Sequence, residues 1–407
     1  MNSTEKKYYE IFIFAVIMFE FAVLLPGINN MDSYVVTFYL LSYQDLGLNN
    51  RLFIGSVFKI FAEYISSETL YYYICAITIC LNCMVALVLG KVFRRSTDEK
   101  TDSLKIFIIL FLSSPFSLSH LFNSANFGYF DLYFIILTLI MVIFIRNKYL
   151  KWLIPILCII AEAIHPGWFL LYMPAIAIIL ICEFYINKYK KSSTVICIVS
   201  FLAASLALLY FQFLPHSINF ATPEDVVRFI QHRTDYPLES VEIILSNYFL
   251  DVRTLLYDSI PAVLSFVLPY SICILVMTSP LIAVFITLWL QAYKKAQDKF
   301  SKVIILLCMA APIVSLTIFF NFDWDRWISA IFIVQFMLVF YFLDSGFACV
   351  IEAAEHIKLY FQKHRVLFVF IVGYLSMMVF SFGRVFLYSL IDKDYIYSLI
   401  SKWSGSV

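Results

Sequence analysis

Charged residues are scarce in this sequence. Asp, Glu, Lys and Arg make up 14% of its 407 residues, against about 25% in soluble globular domains. Apolar residue types reach 62%, and the mean hydropathy is +0.87. A soluble fold of this length has too little polar surface to cover so many apolar side chains. This composition excludes a disordered chain, a nucleic-acid-binding protein and a soluble multidomain enzyme, and it indicates an integral membrane protein.

Alternation of polar and apolar residues with a period of two is also missing, which argues against a transmembrane barrel and favours helices. A membrane-spanning helix needs about 20 apolar residues. The sequence predicts an all-α polytopic integral membrane protein, with residues 1–407 as one membrane-embedded domain and about eleven transmembrane helices. The eleven apolar runs lie near 11–26, 70–90, 104–121, 129–145, 152–164, 168–184, 194–214, 271–290, 303–320, 328–343 and 367–387.

The predicted extracytoplasmic loops contain no cysteine. All nine cysteines lie in or beside apolar runs, so we expect no disulfide on that side. Three of them, Cys75, Cys80 and Cys83, share one run, where apolar packing explains them better than a metal site does.

Basic residues are divided unequally between the two sides of the predicted membrane. With Lys6 and Lys7 in the cytoplasm, the inner side carries 20 of the 29 Lys and Arg residues. Cytoplasmic loops of membrane proteins have such an excess. We therefore expect a cytoplasmic N-terminus, an extracytoplasmic C-terminus and a first span that is retained as a signal-anchor.

Two long segments, 27–68 and 215–261, lie on the predicted extracytoplasmic side. The first contains short apolar stretches at 34–43 and 52–65, which are typical of amphipathic helices on a membrane surface. The second contains Thr222 followed by Pro223, a pair that favours the start of a helix. We expect these short helices to form a platform on the extracytoplasmic face.

Ionisable residues gather at span ends on this same side. Asp32 follows the first span, Asp131 opens the fourth, and His165 lies between the fifth and sixth. All three are catalytic candidates, because a positioned carboxylate or imidazole can act as a general base. Each also has a structural alternative. Asp32 could cap a helix, Asp131 could complement a helix dipole, and His165 could cap a helical hairpin.

Arginine is the main basic residue on the extracytoplasmic side, at six of nine positions. Its guanidinium binds phosphate oxygens with two parallel hydrogen bonds. Aromatic residues that include Tyr34 and Tyr129 flank these charges; their faces suit sugar stacking, although interface belts are also rich in Tyr and Trp. No metal site is predicted, and the one cofactor this chemistry would accommodate is a divalent cation, Mg²⁺ or Mn²⁺. The substrate-binding candidates are Arg51, Arg233, Arg253, Asp323, Asp325, Arg326, Arg384, Trp168 and Trp327.

The layout resembles the C-superfamily glycosyltransferases (GT-C) and the polytopic polymerases of bacterial O-antigen and capsule. GT-C members carry a catalytic or metal-binding Asp in the first outer loop, the position of Asp32 in Met31-Asp-Ser-Tyr34. The stretch Gly128-Tyr-Phe-Asp131 is similar to a Gly-x-x-Asp element that opens a later span in that superfamily. Gly47-Leu-Asn-Asn-Arg51 resembles a segment of capsule and O-antigen membrane proteins. The first loop has one Asp near the span end, where paired acids are common in GT-C enzymes.

The resemblance implies a membrane glycosyltransferase of surface-polysaccharide assembly in the bacterial inner membrane. It would transfer a sugar or oligosaccharide from a polyprenyl-(pyro)phosphate-linked donor at the extracytoplasmic face, with Asp32 as base or metal ligand. Its partners would be the polyprenyl-linked saccharide, membrane lipid and other polysaccharide-assembly proteins, with no nucleic acid. Polymerase and single-sugar transferase both remain open. The alternatives are a lipid-saccharide flippase or transporter, and a membrane acyl- or phosphotransferase in which His165 is the base.

Overall fold

A computed structural model describes residues 3–28, 31–95, 98–122, 126–186, 191–213, 220–238, 244–249, 275–313 and 324–379. Within these ranges the chain forms helices and no β-strand, which confirms the predicted all-α class. Four helices are long and apolar enough to cross a membrane, as expected for a helical membrane protein. They are Ser67–Arg95, Lys191–Gln212, Leu275–Lys295 and Arg326–Ser345.

Among the described residues, 3₁₀ turns occupy Ser119–Phe122 and Leu150–Leu153. In chain order the helices are α1 (Ser3–Leu24), α2 (Ser33–Leu40), α3 (Tyr43–Leu46), α4 (Phe53–Phe61), α5 (Ser67–Arg95), α6 (Asp98–Ser113), α7 (Asp131–Ile145), α8 (Ile154–Ile164), α9 (Gly167–Leu171), α10 (Met173–Ile186), α11 (Lys191–Phe213), α12 (Pro223–Gln231), α13 (Leu275–Lys295), α14 (Lys299–Ala310), α15 (Trp324–Ser345), α16 (Ala348–Lys363) and α17 (Arg365–Val379).

Each predicted apolar run contains a helix among the described residues, but several of these helices are short or interrupted. The run 168–184 is divided at Tyr172 into α9 and α10. The run 104–121 leaves its α-helix after Ser113, just before Ser114-Pro115, because the residue that precedes proline disfavours helical backbone. The hydroxyl of Ser117 then donates to the Ser114 carbonyl at 2.8 Å. Four helices of spanning length therefore leave the count of eleven spans as a prediction.

Internal contacts divide the chain into two compact units. The first comprises Met1–Arg94, Leu121–Tyr257 and Ala310–Ser315. Its core is centred on α8, which packs mainly against α11 and also against α7. Small buried residues of α11, such as Ala204, let these helices approach closely. In the same unit α2 packs against α4 so closely that a Cβ on Gly55 would lie 1.9 Å from the Leu41 carbonyl oxygen.

The second unit comprises Arg95–His120, Asp258–Met309 and Leu316–Val407. It contains α15, which is largely buried. The Gln335 side chain on α15 accepts a hydrogen bond from the Trp289 indole at 2.6 Å and donates to the Cys308 carbonyl at 3.2 Å. A buried amide with both ends paired ties α13, α14 and α15 together within an apolar interior.

Candidate functional site

Asp32 is the N-cap of α2. Its Oδ1 accepts a hydrogen bond from the backbone N–H of Tyr34 at 2.7 Å. Its Oδ2 accepts a hydrogen bond from the Tyr129 hydroxyl at 3.1 Å. The capping role raised as the structural alternative is therefore present, and it uses one oxygen. The carboxylate is half-buried and oriented by donors from two separate parts of the first unit.

Arg51 has a left-handed backbone with φ 62°, and it is the one non-glycine residue with positive φ among those that the structure describes. It follows α3 and turns the chain into α4. A bulky side chain is costly in this conformation, and such strain is concentrated at functional sites. The Asn49 side chain braces the turn by donating to the Leu46 carbonyl at 2.7 Å.

Two tyrosines join Asp32 to Arg51. The Arg51 guanidinium donates to the Tyr34 hydroxyl at 2.7 Å. The rings of Tyr34 and Tyr129 stack with centroids 5.1 Å apart and planes 8° from parallel. The guanidinium carbon also lies 5.6 Å from the centroid of the Phe38 ring. We call Asp32, Tyr34, Arg51 and Tyr129 the Asp32–Arg51 cluster.

The described parts of segment 215–261 contact both ends of this cluster. The hydroxyl of Tyr236 donates to the carbonyl of Met31, next to Asp32, at 2.5 Å. The hydroxyl of Tyr248 donates to the carbonyl of Asn50, next to Arg51, at 3.3 Å. Burial raises the pKa of Tyr248, and the nearby Arg51 guanidinium acts in the opposite direction. The described parts of 215–261 therefore pack on the residues that carry the cluster.

The Arg51 guanidinium keeps unused donor capacity. Its Nε is buried and has no hydrogen-bond acceptor within the described ranges. A buried donor without an acceptor costs free energy, and an anionic oxygen would satisfy it. A carboxylate and a partly unsatisfied guanidinium held by one aromatic pair can bind an anion beside a proton acceptor.

Arg233, predicted as a substrate-binding residue, lies in a buried ion network. Its guanidinium contacts Asp45 at 3.0 Å and donates through Nε to the Glu63 carbonyl at 3.0 Å. Asp45 also pairs with Lys59 at 2.5 Å and accepts from the Ser42 hydroxyl at 2.6 Å. This network fastens the end of α12 to α3 and α4. The Ser42-x-x-Asp45 spacing of a capping box is a sequence signal that indicates the local role of Asp45.

Asp131 is buried in the first turn of α7. The turn before it contains Gly128 with φ 87°, where an added Cβ would lie 2.7 Å from Ile74 Cδ1 and 2.8 Å from Val35 Cγ1. The Gly128 carbonyl accepts from the Tyr39 hydroxyl at 3.1 Å. A hydrogen bond from this turn to Asp32 comes from Tyr129, two residues before Asp131. The Gly-x-x-Asp stretch thus positions a tyrosine as well as an acid.

Hydrogen bonds hold His165 and Trp168 in place. The His165 Nδ1 accepts from the backbone N–H of Gly167 at 2.9 Å, so the neutral ring carries its proton on Nε2. Trp168 is fully buried, and its indole N–H donates to Thr138 at 3.0 Å. Its faces contact the protein interior, as those of a core residue do, whereas the sequence predicts a substrate-binding residue at this position.

The other predicted site residues belong elsewhere in the chain. Arg326 and Trp327 are buried in the first turns of α15, in the second unit. The side chain of Asp325 and the whole of Arg253, Asp323 and Arg384 lie outside the described residues. Nowhere in the described ranges do three His, Cys, Asp or Glu side chains gather in an arrangement that could hold a metal ion.

The cluster was only partly visible in the sequence. Asp32 and Arg51 could be named because ionisable residues stand out at span ends, whereas Tyr34 and Tyr129 look like members of an aromatic belt.

No protein-family model, curated protein or solved structure matches this chain. The resemblance to GT-C enzymes and polysaccharide polymerases therefore stays a prediction that rests on the quoted motifs.

Proposed function

We propose that this chain is a membrane glycosyltransferase of surface-polysaccharide assembly that uses a polyprenyl-(pyro)phosphate-linked donor. One observation carries the proposal: Asp32 and Arg51 lie on the same tyrosine, one bonded to its backbone N–H and the other to its hydroxyl. Glycosyl transfer from a lipid phosphate requires a base for the acceptor and a cation for the leaving group. Asp32 would supply the base, and Arg51 would supply the cation.

The proposed step begins when Asp32 removes the proton from an acceptor hydroxyl. The acceptor oxygen then forms a bond to the anomeric carbon of the donor sugar. The bond from that carbon to the phosphate oxygen breaks, and its electron pair leaves with the phosphate. Arg51 stabilises the negative charge that develops on this oxygen, and its unsatisfied Nε provides a donor for the purpose.

A divalent cation does not fit the described carboxylates. Asp32 is the one acid of the cluster, and the described residues contain no group of three His, Cys, Asp or Glu side chains that could hold a metal ion. Phosphate neutralisation is therefore assigned to Arg51. The Tyr129 hydroxyl, which donates to Asp32, orients the carboxylate toward the acceptor.

The proposal includes a topology. Eleven spans, a cytoplasmic N-terminus and an extracytoplasmic C-terminus would put the cluster on the outer side of a bacterial inner membrane. The bias of basic residues toward the other side supports this orientation. The four described helices of spanning length support the membrane location but not the orientation.

Surface glycan from cells that lack the gene, examined by gel, tests the proposal. The cells would be complemented with wild type, Asp32→Asn or Arg51→Ala. Asparagine caps helices as well as aspartate does, so Asp32→Asn removes the base and keeps α2. Collapse of long glycan to single repeats would indicate a polymerase, and a full ladder that lacks one branch would indicate a single-sugar transferase. Unchanged glycan in the deletion strain would reject both.

A second candidate, a lipid-saccharide flippase or transporter, is favoured by Glu162. This residue of α8 is fully buried, and neither carboxyl oxygen has a hydrogen-bond partner among the described residues. Buried acids in membrane helices mark ion and proton pathways. With Glu162→Gln, a flippase would accumulate lipid-linked repeats in the inner leaflet, whereas a transferase would keep its glycan.

A further inference from the structure

Helix α4 exposes apolar side chains and directs its one charged side chain inward. Ile60 and Phe61 are 77% and 83% exposed, and Val57 lies on the same face at helical spacing. Tyr64, three residues after the end of the helix, is also exposed. Lys59, its one charged residue, points inward to Asp45 at 2.5 Å. A helix at the surface of a soluble protein has the opposite arrangement, with its charges outward and its apolar side chains inward.

The inner face of α4 is fixed, so its apolar face cannot turn inward. Gly55 packs directly on the backbone of Leu41, with no room for a Cβ. The Ser56 hydroxyl accepts from the backbone N–H of Tyr43 at 2.8 Å. Together with the Lys59–Asp45 pair, these contacts keep Ile60 and Phe61 outward.

The neighbouring helix indicates what covers this face. α5 begins at Ser67 and has 29 residues, a length of about 43 Å that exceeds the roughly 30 Å of a bilayer core. Its ends therefore reach the membrane boundary, and its side chain Tyr72 is 61% exposed. The Tyr71 hydroxyl donates to the Pro26 carbonyl at 2.8 Å, just beyond the end of α1. Phe61 precedes Ser67 by six residues, which span at most about 20 Å.

We infer that the apolar face of α4 (Val57, Ile60 and Phe61) is seated in lipid, together with Tyr64 just after the helix, at the boundary of acyl chains and headgroups where α5 begins. Arg51 comes two residues before α4, so this seating holds its guanidinium near the depth of lipid phosphates. The contact with lipid is independent of the proposed function, whereas the consequence for a phosphate donor rests on it.

Photocrosslinking from position 61 tests this contact. The full chain would carry benzoylphenylalanine in place of Phe61, in vesicles of phosphatidylethanolamine and phosphatidylglycerol, and mass spectrometry would identify adducts. The same label at Tyr72 on α5 is the lipid-facing control. Arg228 on the polar helix α12, with 75% of its side chain exposed, gives the control in water.

We expect phospholipid adducts at position 61 with a yield close to that at 72 and well above that at 228. A covalent dimer of the chain at 61, or no adduct there while 72 reacts, would overturn the inference. The proposed function fails separately. Lipid adducts at 61 together with normal glycan in the Arg51→Ala strain would keep the lipid contact and reject the transferase. Loss of glycan in that strain without adducts at 61 would reject the lipid contact and keep the transferase.

Discussion

Tyr34 accepts a 2.7 Å hydrogen bond from Arg51. The backbone N–H of the same tyrosine donates to Asp32, so one residue sets the positions of both chemical groups. The geometry of this site thus depends on Tyr34, an uncharged residue that its position in the sequence does not distinguish from other interface tyrosines.

Removing the Tyr34 hydroxyl should therefore impair transfer and leave the fold intact. In Tyr34→Phe the ring keeps its stack on Tyr129, but Arg51 loses the acceptor that orients it. A hydrogen bond to a charged group is worth about 1.5–3 kcal/mol, so we expect a drop in glycan synthesis of about tenfold or more. Tyr72→Phe, at an exposed position on α5, is the matched control. Equal activity in the two variants would contradict the role of Tyr34.

The buried ion network predicts a large difference between two aspartate variants. Asp45→Asn would leave Lys59 and Arg233 without their counter-charge in a buried place, at a cost of about 3–5 kcal/mol. Asp225→Asn removes an exposed partner of Arg228, worth about 0–1 kcal/mol. Thermal unfolding in detergent would compare them. Similar midpoints for both variants would show that the network does not hold the described parts of segment 215–261 in place.

Two glycines predict opposite effects of the same substitution. Alanine at Gly55 would place Cβ on the Leu41 carbonyl, so α2 and α4 would have to separate, at a cost of more than about 2 kcal/mol. Alanine at Gly373 on α17 meets no atom within 4 Å, and it should add about 0.5–1 kcal/mol through helix propensity. Unfolding midpoints that fall equally in both variants would contradict the packing of α2 on α4.

Glu162 should limit stability. A carboxyl group buried without a partner costs free energy, so Glu162→Met should raise the free energy of unfolding by about 1–2 kcal/mol. The control is Glu183→Met, which removes a partner of Arg146 at 3.2 Å and should lower stability by less than about 1 kcal/mol. A fall in stability for Glu162→Met would show that this carboxyl group makes a stabilising interaction.

The sequence predicted the helical class well, because long apolar runs suit few other structures. The count of eleven spans stays a prediction, because the run 168–184 is divided at Tyr172 and the run 104–121 leaves its α-helix after Ser113, ahead of Pro115. Among site residues, the sequence predicts Arg233 as a substrate-binding group and gives no sign of its ion-pair partner Asp45, which lies 188 positions away. In the sequence Trp168 is indistinguishable from an aromatic residue of the membrane interface. In the structure it is fully buried and bonded to Thr138. Such long-range partners leave no mark in a single sequence.

The variant Arg51→Gly separates a functional role of Arg51 from a role in stability. Glycine adopts φ near 62° without strain, so the variant should fold at least as well as wild type. We would measure surface glycan on gels beside the unfolding midpoint, with Arg228→Ala as the control for loss of an outer arginine. We predict glycan as depleted as in the deletion strain, with normal membrane level and midpoint. Glycan of wild-type length in the Arg51→Gly strain would contradict the account.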